Sequence, residues 1–444
     1  MQLISDTANP TGPETPKFAP VHPWTGEGSL GDPRAFLNGP PNDLFARMRA
    51  ASPVAWVPGT PGDGGAWVLT RYEDVMRVNG DPETFSSQRG GILISNGSPE
   101  TRHPQLGRAT LDAMINMDAP NHLQLRREHM PFFTARYIET LKARVKAEVT
   151  RLLDEMAPMG ECDLVEALSS RLPLFTLCEI LGVPEPDRPK FLKWMHYLEL
   201  AGNAAADQGA GTLEITPELM TLIGEFNGAV AEMFEYGRTM LHKRRADPQA
   251  DLMSAIARAQ LDGEMLADEF LDGSWLLIVF AGNDTTRNTI SGTMKLLTEF
   301  PLQKAKLIAQ PSLMRGAVDE FIRMVSPVIY MRRTATRDVE IGGQMIGEGE
   351  KVVMYYGAAN RDPAVFENPD TLDIQRPNAD KHIAFGFGPH VCIGKQVARL
   401  QLEEVYTQLL ARFPDMRYAG GIDVAPNNFV FAIRKLPVVW GEAA

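Results

Sequence analysis

The stretch that decides the fold is Phe385-Gly-Phe-Gly-Pro-His-Val-Cys-Ile-Gly394. It sets Cys392 among three glycines and a proline, just before the helical sequence of residues 395–413. Glycines let a backbone approach another group closely, and a helix N-terminus favours a nearby thiolate. Such a sulfur suits a nucleophile or a soft axial ligand of iron, whereas most free cysteines are buried structural residues. We assign that structural role to Cys162 and Cys178.

A second unusual stretch, Ala281-Gly-Asn-Asp-Thr-Thr286, lies in the middle of residues 267–301. Those residues predict one long helix that is apolar all round at its centre and is therefore buried. Gly282 costs about 1 kcal/mol in a helix interior. Asp284 costs several kcal/mol there unless it is paired or protonated. This departure from a stable helix indicates a functional site, and the alternative is a polar network at a helix break.

Both stretches resemble the cytochrome P450 family. Five residues fit its haem-binding signature, Phe-x-x-Gly-x-(His/Arg)-x-Cys-x-Gly: Phe385, Gly388, His390, Cys392 and Gly394. The one departure is Pro389, which a loop tolerates. The resemblance implies that Cys392 binds the iron of haem b as a thiolate. The helix motif is similar to the family's (Ala/Gly)-Gly-x-(Asp/Glu)-Thr, which implies that Ala281 adjoins the haem and that Asp284 and Thr285 deliver protons to dioxygen.

The resemblance extends to a Glu-x-x-Arg pair and to partners for the haem. Glu320 and Arg323 are three residues apart on a predicted helix, so their side chains meet. In the family this structural pair binds an arginine that precedes the haem loop, and Arg376 fits that place. The two haem carboxylates need cationic partners, because a buried charge must be paired. The family's donors match here at four positions: His122, Arg126, Arg333 and His390.

The chain has 444 residues, of which 44 % are hydrophobic and 23 % charged, as is ordinary for a globular protein. The resemblance implies a mainly α fold with small β-sheets. We expect one large domain over residues 41–444, with the haem buried between the long central helix and the helix after the cysteine loop. Residues 1–40 are rich in proline, glycine and threonine and predict an extended arm that lies on the surface or is partly disordered. The small, glycine-rich residues 200–215 predict a mobile loop.

The net charge and the distribution of apolar residues argue against several classes of protein. The net charge of −12 argues against general binding of nucleic acid. No apolar run reaches the roughly 20 residues that span a bilayer, and the N-terminus lacks a signal-peptide pattern. We therefore expect a cytoplasmic protein without a membrane span.

The resemblance implies a monooxygenase that inserts one atom of O2 into a C–H bond. Only four residues follow Trp440, so we expect the electrons to come from a separate ferredoxin and its reductase. Lys395 and Arg399, which follow Cys392, would form the docking face for an acidic partner. The alternative is that both belong to an ordinary solvated helix face.

Segments that line the substrate pocket in relatives are mostly apolar here, which predicts a hydrophobic guest. Alkanes, fatty acids, terpenoids, steroids and aromatics all fit, with a preference for aliphatic or terminal hydroxylation. The predicted pocket residues are Ile92, Leu93, Ile94, Leu277, Phe280, Val328, Ile329, Met331, Phe429 and Val430.

Two other functions compete with monooxygenation. A haem-thiolate binding or sensor protein without turnover would keep Cys392 but would not need Asp284 and Thr285. A hydrolase with Cys392 as nucleophile and His390 or His382 as base would leave the Glu-x-x-Arg pair unexplained.

Overall fold

The computed structural model describes residues 13–26, 30–59, 64–93, 103–209 and 216–441, without the side chains of residues 201–209. Helix dominates this part of the chain. The helices are α1 (Asn42–Ala51), α2 (Tyr72–Gly80), α3 (Pro104–Leu111), α4 (Asn121–His129), α5 (Ala135–Met156), α6 (Arg171–Leu181), α7 (Arg188–Gly209), α8 (Pro217–Ala246), α9 (Leu252–Arg258), α10 (Asp268–Glu299), α11 (Pro301–Ala309), α12 (Met314–Val325), α13 (Tyr356–Ala359) and α14 (Lys395–Arg412). None of them is both long and apolar enough to cross a lipid bilayer.

The strands are short and form small sheets. They are β1 (Val54–Val57), β2 (Ala66–Leu69), β3 (Phe85–Ser86), β4 (Glu161–Asp163), β5 (Gln260–Leu261), β6 (Glu264–Met265), β7 (Tyr330–Ala335), β8 (Val339–Ile341), β9 (Gln344–Ile346), β10 (Lys351–Tyr355), β11 (Arg417–Tyr418), β12 (Asp423–Val424), β13 (Ile433–Lys435) and β14 (Pro437–Val439). The largest sheet has the order β1-β2-β10-β7-β3, in which β10 runs parallel to β2 and the other pairs are antiparallel. A second sheet has the order β11-β14-β4.

The central helix is α10, as the sequence predicts. It runs for 32 residues, and α3, α6, α8, α12 and α14 all pack against it. The negative charges of Asp268 and Glu269 in its first turn are stabilised by the positive end of the helix dipole. Gly273 lets α3 come close, because a Cβ there would lie 2.6 Å from the backbone of Asp112. The buried helix α10 is therefore the central packing surface of the fold.

The expected surface arm is partly core. Leu30 and Phe36 are 2 % and 1 % exposed and pack in one cluster with Phe45 and Tyr330. A short 3₁₀ turn, Pro33–Phe36, directs Phe36 inward. The expectation that residues 1–40 lie on the surface is therefore wrong for this part, where burial of two large apolar side chains outweighs the turn-rich composition.

The predicted mobile loop over residues 200–215 is also wrong for its first part, since α7 continues to Gly209. Alanine has the highest helix propensity, and the run of three alanines at residues 204–206 supports the helix despite the neighbouring glycines. Residues 210–215 lie outside the described residues.

Candidate active site

A cavity inside the molecule lies between α10 and the loop that precedes α14. From α10 it is lined by Leu277, Ala281 and Thr285. The loop contributes Phe385 and residues 390–394. The two stretches singled out in the sequence therefore face each other across one space.

Cys392 lies at the wall of this cavity, shortly before α14 begins at Lys395. The residue is deep in the fold, and its accessible surface faces the cavity. Its N–H donates to the carbonyl oxygen of Phe385 at 2.9 Å, which closes the loop around the thiol. Burial raises the pKa of Cys392, while the backbone N–H of Gly394 and the charge of Arg126 oppose the rise. The helix terminus alone does not make this cysteine acidic, so the thiolate needs a cation, as iron would supply.

The glycine at position 388 is required by its surroundings. Gly388 has a φ of +72°, and a Cβ there would lie 2.4 Å from the carbonyl oxygen of Asn79. Pro389 occupies the first turn of a 3₁₀ helix, Gly388–His390, where its missing N–H costs nothing. Gly388 does not line the cavity, and its role in this structure is to shape the loop.

Arg126 and Arg333 bring positive charge to the cavity wall. Arg333 is 4 % exposed, and its Nη1 donates to the carbonyl oxygen of Arg332 at 2.8 Å. Arg126, from α4, donates from Nη2 to the carbonyl oxygen of Val391 at 2.6 Å. Within the described ranges neither guanidinium forms an ion pair with a carboxylate. Because an unpaired buried charge is costly, both residues fit the carboxylates of a haem.

His122 and His390 are adjacent at the same wall, with stacked rings. Burial, aided by the nearby arginines, lowers the pKa of His122 to about 4 and that of His390 to about 2. The rings are therefore neutral near pH 7. We expected cationic partners at these positions, but neutral imidazoles act on a haem carboxylate as hydrogen-bond donors.

Glu320 and Arg323 are fully buried, and the largely buried side chain of Arg376 meets them. Arg323 donates from Nε and Nη2 to the two Glu320 oxygens at 2.7 and 2.8 Å. Arg376 donates from Nε to the same carboxylate at 3.0 and 3.1 Å. The remaining donors bind backbone, for example Arg323 Nη1 at 2.8 Å from the carbonyl oxygen of Asn360. The cluster thus ties α12 to the segment before the cysteine loop.

The acid and alcohol motif lies on an unbroken part of α10. Thr285 lines the cavity, and its hydroxyl donates to the carbonyl oxygen of Ala281 at 3.2 Å. Asp284 does not line that cavity, since its Oδ1 lies 3.4 Å from Asn283 Nδ2 and 3.6 Å from Arg287 Nη2. Although 34 % of this side chain is accessible, it lies deep in the fold, and burial raises the pKa of Asp284 against the opposing charge of Arg287. The carboxyl is therefore able to hold a proton.

Two residues of the site, Ser87 and Arg287, and the packing role of Gly282 were not found from the sequence. Gly282 allows α6 to pack closely, because a Cβ there would lie 2.9 Å from Leu177 Cδ1. Ser87 places its hydroxyl 3.3 Å from Nε2 of His390. Arg287 donates to Glu199 of α7 at 3.1 Å. Of these, only Arg287 had a visible signal, its spacing of three residues from Asp284.

Three of the residues predicted for the substrate pocket line the cavity: Leu277, Val328 and Met331. Six predicted residues that the structure describes do not line it: Ile92, Leu93, Phe280, Ile329, Phe429 and Val430. Ile329 instead packs in the cluster of Leu30, and Phe280 precedes Ala281 and so points to another side of α10. Ile94 lies outside the described residues.

Of the two residues predicted to form the docking face, Lys395 and Arg399, one is already paired within the protein. Arg399 donates from Nε to Asp319 at 2.7 Å, and its guanidinium lies over the ring of Phe385. That side chain supports the loop and is not a free surface charge. Lys395 remains as the predicted docking residue.

Comparison with known proteins gives a consistent family. The cytochrome P450 family profile matches residues 87–416. The linalool 8-monooxygenase of Pseudomonas putida is 35 % identical over 415 residues, which is 92 % of this chain and 98 % of the relative. The methyl-branched lipid omega-hydroxylase of Mycobacterium tuberculosis is 32 % identical over 406 residues, or 89 % and 90 % of the two chains.

Two further matches agree. The steroid C26-monooxygenase of Mycobacterium tuberculosis is 33 % identical over 405 residues, which is 90 % of this chain and 95 % of the relative. A Mycobacterium marinum cytochrome P450 solved in complex with pseudoionone superposes with a TM-score of 0.81 at 34 % identity, covering 92 % and 97 % of the two chains. With its mainly helical fold and its cysteine-walled cavity, this chain belongs to the cytochrome P450 family and is a haem-thiolate monooxygenase.

Proposed function

We propose that the protein hydroxylates a branched, largely apolar molecule at or near the end of an aliphatic chain. The supporting observation is the character of the cavity beside Thr285, where Leu277, Val328 and Met331 supply apolar surface. Among the described residues that line the cavity, Arg126 and Arg333 are the arginine and lysine side chains present. None of these lining residues is a carboxylate. A charged substrate would lose its hydration there without compensation if a haem engages both arginines.

The names of three relatives support oxidation at one defined carbon, and one of them specifies the terminal, omega carbon. Their names specify oxidation of linalool at position 8, of methyl-branched lipids at the omega carbon and of steroids at C26. These compounds differ in class, but each name refers to a numbered or terminal carbon of a mainly apolar skeleton. We propose that this protein also prefers such molecules.

The residues divide the work as follows in this proposal. Cys392 holds the haem iron, and Arg126 and Arg333 neutralise the haem carboxylates. When bound, the haem supplies the activation of O2 for insertion into a C–H bond, which thiolate ligation favours. Thr285 presents a hydroxyl to the cavity, and Asp284 holds a proton on the adjoining side of α10.

We also propose a separate ferredoxin and reductase in the cytoplasm as the electron source. Lys395, at the start of α14 on the cysteine side of the cavity, supplies positive charge for an acidic partner. Lys395 follows Cys392 by three residues, so a partner that docks there lies on the cysteine side of the cavity.

The test uses the haem-loaded protein. Its reduced carbon monoxide spectrum should show the red shift of thiolate ligation, and linalool, a neutral methyl-branched lipid or a steroid should shift the ferric spin state. Product analysis by mass spectrometry should then find a hydroxyl near a chain end. If none of the three is bound or oxidised, the substrate class is wrong.

Asp284→Asn tests the proton role. We expect product formation to fall by about 100-fold while the haem spectrum is retained, since a positioned proton donor contributes about that much. Asp268→Asn, at the exposed start of the same helix, is the matched control and should retain full turnover. Normal turnover of Asp284→Asn would contradict the assignment.

A further inference from the structure

The segment that leads into β7 forms one wall of the active-site cavity. Pro327, Val328 and Met331 line the cavity from this segment. Ser326, immediately before it, has a φ of +43°, so the chain leaves α12 in a sharp turn. Residues 327–329 precede the regular strand, and the position of this wall therefore depends on what pairs with its backbone.

The loop between β12 and β13, residues 425–432, supplies that partner. Val430 of the loop and Val328 of the wall form an isolated antiparallel bridge. The N–H of Ile329 donates to the carbonyl oxygen of Phe429 at 2.8 Å. A movement of the loop would therefore move the wall of the cavity with it.

The same loop is ordered by its own side chains. The Oδ1 of Asn427 accepts from the N–H of Phe429 at 2.8 Å and from that of Val430 at 3.0 Å. The ring of Phe429 packs edge-on against Tyr330, with centroids 5.4 Å apart. Phe429 and Val430 do not line the cavity themselves, so the loop forms a second layer behind Val328.

Residues 30–39, which we call the strap, bind this loop. The Nδ2 of Asn428 donates to the carbonyl oxygens of Leu30 and Gly31, at 3.3 Å in each case. The ring of Phe431 packs against the apolar cluster that contains Leu30. The loop is therefore bound to the strap as well as to the wall of the cavity.

The strap is anchored in the core of the fold. The buried side chains of Leu30 and Phe36 belong to one cluster with Val68 of β2 and Val353 of β10. Both strands are part of the largest sheet, whereas β12 and β13 form a separate pair. The hydrogen bonds of Asn428 thus tie the loop to a part of the fold with which its own strands form no sheet.

We propose that the strap determines which molecules fit the cavity, because it holds the β12–β13 loop and, through the loop, Val328. Asn428 and Leu30 are the positioning residues in this arrangement, and they act through the wall rather than on the substrate. The inference deepens the proposed function and rests on it, since a fixed apolar wall selects among branched apolar molecules by shape. Its tests use probes other than the proposed substrates.

The first test loosens the loop without emptying the core. Asn428→Ala removes both hydrogen bonds to the strap. We expect the amide proton of Ile329 to exchange faster by about tenfold, because a lost hydrogen bond makes local opening of the wall easier. Hydrogen exchange of the holoenzyme, followed by mass spectrometry on peptides that contain Ile329, measures this. Asn378→Ala removes a similar bond, to the carbonyl oxygen of Val365, and is the matched control that should leave this exchange unchanged.

The second test measures selection by size, through optical titration of the ferric holoenzyme. Imidazole and 1-phenylimidazole both bind haem iron through a ring nitrogen, but the phenyl group extends further into the cavity. In Asn428→Ala and Leu30→Ala we expect the affinity for 1-phenylimidazole to fall by about threefold or more, because its binding must then order a wall that the wild type already holds. The affinity for imidazole should stay at its wild-type value. Leu30→Met, which keeps most of the volume, should retain wild-type selection.

Two results would overturn the proposal. One is an unchanged exchange rate of Ile329 in a folded Asn428→Ala variant. The other is an equal loss of affinity for both probes in that variant, which would indicate a disturbed iron site and not selection by the wall. Neither measurement needs turnover, so failure of the proposed substrate class would be seen separately, in the product analysis.

Discussion

The imidazole rings of His122 and His390 stack with centroids 3.8 Å apart and planes inclined by 23°. One ring belongs to α4 and the other to the cysteine loop, so the stack joins two distant parts of the chain at the wall where Arg126 and Arg333 lie. Ser87, just after β3, adds a contact to His390 at 3.3 Å. Three segments thereby converge on the predicted place of the haem carboxylates.

His390→Ala should weaken haem retention. It removes both the stack and a hydrogen-bond donor to a charged group, and the latter alone contributes about 1.5 kcal/mol, or roughly tenfold. Haem transfer to an excess of apomyoglobin measures the release rate. His390→Phe keeps an aromatic ring without the donor and should give an intermediate rate. Release at the wild-type rate from His390→Ala would refute the role.

Arg376→Met should destabilise the protein severely. It leaves the Glu320 carboxylate, which has no accessible surface, with one of its two cations removed. Breaking a buried ion pair from one side costs about 3–5 kcal/mol. Thermal and urea unfolding of the holoenzyme would measure this loss. Glu148→Gln, which breaks the exposed pair with Arg151, should cost under about 1 kcal/mol.

His129 should make the protein less stable in mild acid. It is 1 % exposed, and neither ring nitrogen has a hydrogen-bond partner among the residues that the structure describes. Burial, with Arg126 nearby, lowers its pKa to about 4. Between an unfolded pKa of about 6.5 and this folded value, the unfolded state binds the extra proton, so stability falls as pH falls, by up to about 1.4 kcal/mol per pH unit.

His129→Leu should lower that slope of unfolding free energy between pH 6.5 and 4 by up to about 1.4 kcal/mol per pH unit. Part of the slope should remain, because the pKa values of the buried His122 and His390 are also lowered. Urea unfolding across this range gives the slope directly. The exposed His22→Gln serves as control and should keep the wild-type slope. An unchanged slope in His129→Leu would show that the ring is protonated in the folded protein.

Lys395→Glu should weaken use of an acidic ferredoxin. Reversing one charge at a docking face lowers electrostatically steered association by about tenfold at low salt, and less at high salt. Reduction kinetics at several ionic strengths would measure this. Arg399→Gln should instead lower stability, because Arg399 is paired with Asp319. Equal salt dependence in the wild type and Lys395→Glu would exclude Lys395 from the interface.

The sequence was sufficient to predict the features whose geometry depends on closely spaced residues. The cysteine loop, the Glu320–Arg323 pair and α10 all follow from residues close together in the chain. Contacts such as Ser87 with His390, Leu177 with Gly282 or Glu199 with Arg287 join distant segments, and no local pattern specifies them. These contacts depend on how helices pack after folding.

The residues that line the substrate pocket were harder to predict from the sequence, for a related reason. Which side of a short strand faces a cavity depends on its register with the neighbouring strand, and a sequence gives that register only weakly. Ile329 illustrates this, because its N–H pairs with the carbonyl oxygen of Phe429 and its side chain joins the opposite core. The misplaced loop at residues 200–209 arose because local glycines were given more weight than the adjacent alanines.

The cluster of Glu320, Arg323 and Arg376 also limits how this chain can vary. One carboxylate determines the identity of two cations that are distant from each other in sequence. A library of single substitutions should therefore return almost only the parental residue at each of the three positions. A functional descendant that has lost the cluster would need to replace all three together, for example with a matched apolar set, so these positions should change as one unit or stay fixed.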